Sequence, residues 1–201
     1  MNRVEEFLKK MGRGIVKGAI WIYFIVVYRV KIIGKENIPK EGPIIICGNH
    51  RSFLDPPVIE ATCGRYARFL AKEELTKNKF LAFLGLIFDA ILVKRDSKEV
   101  NAIKESLKTL KNGQCLALFP EGTRNGLAKG EQVKDGAAFF AVRSGAKIIP
   151  CGIKGGTKEN WKVTVTYGKP LDFSQYKGTK DKEILDKITK EIMGKIISLT
   201  K

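Results

Sequence analysis

The sequence predicts an α/β domain: a mixed, largely parallel central sheet flanked by helices, preceded by an amphipathic and apolar helical segment. Three observations predict it. Short apolar, β-branched runs alternate along the chain with stretches of helical periodicity, the pattern of strand–helix–strand units. Two of those runs pass directly into loops dense in polar and charged residues, as strands do where open parallel sheets bind ligands. The length, 201 residues, suits one domain with a substantial core.

Taken in order, Val4, Phe7, Leu8, Met11 and Ile15 fall on one face of a helix over 3–17, with Arg3, Lys9, Lys10 and Arg13 elsewhere. Gly18 to Tyr28 is a continuous apolar run. As a helix it reaches ~16 Å, about half the ~30 Å hydrocarbon core of a bilayer, so it is too short to span. Two readings stay open for residues 1–27: a helix packed on the core, or an interfacial membrane anchor with Trp21 and Tyr23 at headgroup level and its cations toward anionic lipid. The basic excess favours the anchor.

The domain proper is placed at 28–201. Strands are expected at 28–34, 43–47, 66–71, 87–93, 115–119 and 147–151, with an alternating edge strand at 161–167. Helices are expected at 56–63, 73–84, 97–111, 133–144 and 180–199. The helix over 97–111 turns Val100, Ile103, Leu107 and Leu110 inward, opens on a capping box formed by Asp96 and Glu99, and stops at Asn112-Gly113. The closing helix carries Ile184, Ile188, Ile192 and Ile196 on one face. Segments 43–71 and 115–151 each read as a parallel crossover unit.

Charge narrows the partners. The chain has 37 Lys+Arg against 21 Asp+Glu, a formal net charge of +16, which selects anionic partners: nucleic acid, anionic lipid or phosphorylated ligands. The cations are spread rather than striped and no nucleic-acid module is present, which argues against nucleic acid. Four cysteines without a C-x-x-C and a single histidine argue against a zinc site, so no metal is expected. Reduced, buried thiols are the simple reading of the cysteines.

That single histidine, His50, follows the apolar run 43–47, and Asp55 lies five residues on. Histidine titrates near neutrality, and a carboxylate bonded to one ring nitrogen leaves the other free to take a proton. Equally, Asp55 precedes Pro56-Pro57 and could serve only as a helix cap. No G-x-S-x-G is present, so direct deprotonation of a substrate hydroxyl is preferred to a serine triad through Ser52. The second loop is Phe119-Pro-Glu-Gly-Thr-Arg124. Gly122 permits positive φ and an anion-binding turn, Thr123 adds a hydroxyl and Arg124 a planar fork for phosphate. Lys72 and Arg95, at or just past expected strand ends, could extend the same pocket. The alternative is a surface turn with solvated charges.

Together the two loops, Asn49-His50 through Asp55 as N-H-x-x-x-x-D and Phe119–Arg124 as F-P-E-G-T-R, resemble the glycerolipid acyltransferase family, in its lysophosphatidate-acylating bacterial branch. The resemblance covers roughly residues 28–170 and includes Ala71–Leu75, Gly85-x-Ile-Phe88 and Ile148–Gly152, with Asn125 standing where serine is common. It implies a glycerolphosphate-acyltransferase-like fold and transfer of an acyl group from acyl-ACP or acyl-CoA to the 2-hydroxyl of lysophosphatidate (1-acylglycerol 3-phosphate), giving phosphatidate. It implies no cofactor, and a peripheral, monotopic position on the cytoplasmic face of the membrane. It implies His50 as base, Asp55 as its orienting partner, and Lys72, Arg95, Glu121, Gly122, Thr123 and Arg124 around the acceptor phosphate, Glu121 as organiser of the loop. Other acceptors, glycerol 3-phosphate or a different lysophospholipid, share the motifs. Two further alternatives are a non-enzymatic basic membrane binder and a thiol relay through Cys47 or Cys151.

Overall fold

Strand β2 (Ile44–Gly48) contains only apolar residues and a glycine, so it has to be covered on both faces, and every residue in it is buried. The computed structural model, which describes residues 3–93, 100–126, 132–156 and 160–201, puts that strand at the centre of the sheet. Among the described residues the sheet has seven strands in the order β1-β7-β6-β2-β5-β3-β4. The other strands are β1 (Lys31–Ile33), β3 (Ala67–Lys72), β4 (Ile91–Val93), β5 (Cys115–Leu118), β6 (Lys147–Gly155) and β7 (Val163–Tyr167). All neighbours run parallel except β6 and β7. The mixed, largely parallel α/β class is therefore the observed one.

Three layers result. Ile45, Cys47, Leu116, Leu118 and Ile148 point to one side of the sheet, where α4 (Val100–Lys111), α5 (Gly136–Ser144) and α6 (Lys182–Ser198) close the core. Ile44, Ile46, Ala117, Ile149, Cys151 and Ile153 point to the other, against α2 (Asp55–Thr62) and Phe24 of α1 (Arg3–Tyr28). The Ile188, Ile192, Ile196 face of α6 is buried as its spacing requires, and Asp181 caps the helix by accepting from Glu183 N at 2.9 Å.

The two expected crossover units interleave. β5 lies between β2 and β3, and β2 lies between β5 and β6, so each unit's return strand skips over the first strand of the other. Several boundaries also move. The stretch read as one helix over 73–84 is a short 3-10 turn at Glu73–Lys77 followed by α3 (Lys79–Ile87). The strand expected at 87–93 shrinks to β4, because Phe88 N and Ala90 N still donate to Leu84 O and Gly85 O at 2.9 and 2.8 Å. β7 is an interior strand, not an edge: it pairs with β6 on one side and β1 on the other. Its alternation of buried Val163, Val165 and Tyr167 with half-buried threonines reports one poorly covered face, and carries no information about edges. In α4 Ala102, Ser106, Thr109 and Leu110 are buried, the expected Ile103 and Leu107 pack half-buried against the same core, and Val100 is exposed instead. The capping box at Asp96 and Glu99 lies outside the described residues.

Helix α1 is continuous for 26 residues. Its window Met11–Tyr28 is long and apolar enough to cross a membrane by length and composition, and only 6% of that window is buried. The 11-residue count missed this because Arg13 and Lys17 interrupt the sequence, yet both turn toward the domain. Arg13 Nε donates to Ile87 O at 2.6 Å, and its guanidinium pairs with Asp89 and lies over the Tyr66 ring. Lys17 Nζ donates to Glu60 Oε1 at 3.1 Å and Arg65 O at 2.9 Å. These two cations are thus not free for lipid headgroups. Phe24, in the middle of the apolar run, is 1% exposed in the core. Leu8, Met11, Ile15, Ile22 and Val26, within one stripe of the helix at 100° per residue, face outward and are exposed. Along Met11–Tyr28 the polarity of α1 is inverted: Arg13 and Lys17 meet protein and the apolar stripe meets the outside.

Glu60 is the buried member of the Lys17 pair, and its second oxygen accepts from Ala67 N at 3.0 Å. Burial raises its carboxyl above the usual range, and Lys17 opposes the rise. Replacing Lys17 by Met removes the ion-pair partner of a buried carboxylate at pH 7.5 and leaves it the Ala67 amide and the field of Arg13. The expected loss is about 2–3 kcal/mol, below that of a fully buried pair because Lys17 is 30% exposed. A raised folded-state carboxyl costs least when protonated, so the loss shrinks as pH falls into the carboxyl range. Urea midpoints of wild type and Lys17→Met at pH 7.5 and 5.0 check this; an equal gap at both pH values rejects it.

Candidate active site

β2 and β5 pair from Ile44↔Cys115 to Cys47↔Leu118, so both strands end at the same level and their loops emerge side by side. The loops are then laced together. His50 N donates to Glu121 Oε1 at 3.0 Å, Asn125 N donates to His50 O at 2.6 Å, and the Phe119 ring stacks on the His50 ring at 4.2 Å. Gly48 makes room for this stack: a β-carbon there would fall 3.3 Å from both Ile59 and Phe119. Asn49 completes the frame on the other flank. Its side chain donates to Ile153 O at 3.0 Å and accepts from Ile153 N at 2.7 Å, extending the sheet contact of β6.

Asp55 is the first residue of α2, where the capping reading would put it, but its carboxylate does not cap the helix. It turns back into the loop. Oδ2 meets His50 Nδ1 at 2.9 Å and accepts from Arg51 N at 2.6 Å and Ser52 N at 2.7 Å. Three donors converge on that one buried oxygen and fix the orientation of the carboxylate. With Nδ1–H donating to Asp55, Nε2 carries the ring's lone pair, the arrangement a general base requires. The His50 side chain is 18% exposed, enough for a substrate proton to reach it. Next to Asp55 lies a cavity of about 170 Å³ with apolar walls from Phe24, Tyr28, Leu54, Val58, Ile153 and Val163, together with the polar Arg51, Ser52 and Asn125.

The second loop turns at Gly122, whose φ of 68° is left-handed. Arg124 is exposed, its guanidinium stacked 3.6 Å from the centre of the Phe53 ring. Lys72 ends β3, which is parallel to β5 and beside it, so Lys72 sits at the same edge of the sheet as both loops. Glu121, expected near the phosphate as organiser of the loop, is 6% exposed and accepts from His50 N. A carboxylate so placed stiffens the loop junction. Arg95 lies outside the described residues. Among the described residues no cluster of His, Cys, Asp and Glu could hold a metal ion.

Two residues of this site carry no weight in the sequence reading: Phe53 stands there only as a motif spacer, and Lys134 not at all. Phe119 stands there as the start of the second motif, with no sign that its ring stacks on His50. Lys134 N donates to Pro120 O at 2.9 Å, and its stem runs so close over Gly122 that a β-carbon there would fall 3.0 Å from Cε. The available signal is an aromatic following the polar run Asn49–Ser52, Phe53 before Pro56-Pro57; nothing local marks Lys134.

Burial argues against the thiol relay. Cys47 and Cys151 are 0% exposed, and burial pushes both thiols far above their ordinary range. Cys63 is pushed up to about 11. None offers a thiolate at neutral pH or a route to one.

A parallel α/β sheet bearing a histidine–aspartate pair beside a cationic, glycine-turned loop is an architecture suited to group transfer. A family model described as Acyltransferase matches residues 29–154, and the chain belongs to that family. It is 32% identical over 142 residues to a 1-acyl-sn-glycerol-3-phosphate acyltransferase of Borreliella burgdorferi, covering 70% of this chain and 56% of that one. With the enzyme of the same name from Bacillus subtilis it shares 27% over 176 residues, 85% of this chain and 87% of the relative. The crystal structure of the 1-acyl-sn-glycerophosphate acyltransferase PlsC from Thermotoga maritima superposes with a TM-score of 0.69 at 28% identity, over 94% of this chain and 82% of that chain. The chain therefore spans a little over half of the Borreliella relative and most of the other two.

Buried thiols give a direct test. Native protein incubated with iodoacetamide at pH 7.5 is expected to keep its four thiols unmodified by intact mass, and Cys151→Ala is expected to stay active. Rapid alkylation of one thiol with loss of activity would restore the relay.

Proposed function

We propose that the chain transfers a fatty acyl group from acyl-ACP or acyl-CoA to the 2-hydroxyl of 1-acylglycerol 3-phosphate, giving phosphatidate. The observation that carries this reading is the His50 Nδ1–Asp55 Oδ2 pair at 2.9 Å beside the Gly122–Arg124 turn, on loops locked to each other. The names of the relatives support the acceptor. In the proposed step His50 Nε2 takes the proton of the 2-hydroxyl as that oxygen attacks the thioester carbonyl. The tetrahedral intermediate collapses, the C–S bond breaks, and the imidazolium returns the proton to the leaving thiolate. Asp55 keeps the ring in the right tautomer and stabilises the imidazolium. Lys72, Gly122, Thr123 and Arg124 hold the acceptor phosphate, with Arg95 as a further proposed contact.

The acceptor is an amphiphile, and α1 supplies a way to reach it. Its outward stripe of Leu8, Met11, Ile15, Ile22 and Val26 would sink into the acyl boundary of an anionic membrane on the cytoplasmic side. Because Arg13, Lys17 and Phe24 are tied to the domain, the helix would lie along the surface while the domain stays attached. This favours a lipid acceptor over glycerol 3-phosphate, which needs no such contact.

Two experiments test the reading. His50→Ala is expected to cut turnover by about 10²–10⁴-fold, the usual contribution of a positioned base. Arg124→Ala is expected to raise KM for 1-acylglycerol 3-phosphate about 10–100-fold. Near-normal turnover without His50 sinks the mechanism. For the membrane, the triple variant Ile15→Glu, Ile22→Glu, Val26→Glu is expected to float with anionic vesicles at least ten-fold less than wild type, since each apolar side chain contributes roughly 1.5–3 kcal/mol when buried. Salt should weaken wild-type binding only in part. Unchanged flotation of the variant would place the anchor elsewhere.

A further inference from the structure

Phe53 is 52% exposed, so burial does not explain its place in the loop between His50 and Asp55. What it touches is Arg124: the guanidinium carbon lies 3.6 Å from the ring centre, a close face-on stack. Among the described residues Arg124 makes no ion pair and no side-chain hydrogen bond, so the ring face is what holds it. That geometry has a specific consequence. A guanidinium directs all its N–H bonds within its own plane, so stacking one face on a ring leaves the whole fork unspent and limits the directions in which it can point. An exposed arginine otherwise samples many rotamers and loses that freedom on binding an anion.

We propose that Phe53 is a positioning residue for the acceptor phosphate: it pre-orients the Arg124 fork, and so links the loop of the base to the loop of the anion. This rests on the reading of Arg124 as a phosphate contact. Phe53 does not touch the reacting atoms. It sets KM for a phosphorylated acceptor, and turnover is left to His50 and Asp55.

The test measures initial rates with 1-acylglycerol 3-phosphate in mixed micelles for wild type, Phe53→Leu, Phe53→Tyr, Arg124→Ala and the Phe53→Leu/Arg124→Ala pair. Phe53→Leu keeps an apolar side chain but removes the π face. Its expected effect is a rise in KM of about 2–5-fold, the strength of an exposed cation–π contact, with kcat and the pH profile of kcat unchanged. Phe53→Tyr restores the wild-type KM. In the Arg124→Ala background Phe53→Leu has no further effect on KM, because the partner is already gone. A fall in kcat, a failure of tyrosine to rescue, or a KM effect that persists without Arg124 would overturn the inference and make Phe53 a packing residue of its loop. If Arg124→Ala raises KM and Phe53→Leu does not, the positioning role fails while the phosphate reading stands. If Arg124→Ala leaves KM unchanged, the phosphate reading itself fails, and the role of Phe53 falls with it.

Discussion

The parallel pairing of β2 with β5 is the constraint on which the site depends. The two strands lie next to each other at the middle of the sheet, in a register that ends both at one level. Loops leaving adjacent strand ends start about 5 Å apart, so short side chains and single backbone amides suffice to join them. The contacts that follow, His50 N to Glu121, Asn125 N to His50 O, and Phe119 against His50, are available only in that register. A slip of one residue would exchange the side chains between the two packed layers and offset the loops. Catalytic geometry and core packing are therefore set by the same pairing.

Within that frame the carboxylate of Asp55 does local work that no other group could do. It satisfies two backbone amides of its own loop and orients the imidazole with the same oxygen. A cap residue would have spent those lone pairs on the helix. The helix end is instead stabilised by Pro56 and Pro57, which have no amide hydrogens to satisfy. The prolines thus free the aspartate for the histidine, which explains why one short segment holds both.

Much of this was legible in the sequence, and what was not has physical causes. The His50 and Asp55 loop and the Gly122–Arg124 turn stand out because polar residues after apolar strands are costly unless they are used. The layers follow from periodicity, and the α6 stripe of isoleucines came out where its spacing puts it. Strand order could not be read, because interleaving of the two crossover units depends on which strand outcompetes another for a neighbour, and no single strand encodes that. For the same reason the alternating β7 passed for an edge. The true orientation of α1 was hidden because its buried face is charged: Arg13 and Lys17 satisfy Ile87 O, Asp89, Arg65 O and Glu60, partners far away in the chain. Phe53 and Lys134 are visible only once their loops have met.

The strand order has a consequence for biosynthesis. β2 is made early, yet both of its neighbours, β5 and β6, come from much later in the chain. At ~5–20 residues per second the ribosome needs several seconds to supply the first of them. Throughout that interval the Ile44–Cys47 run lacks ladder partners on both sides, and the apolar stripe of α1 has already emerged. Non-local pairing of this kind is slow to form and exposes sticky edges while it waits. Until β5 emerges the nascent chain carries two adhesive segments, and early capture of α1 by a lipid surface would remove one of them while the sheet is still incomplete.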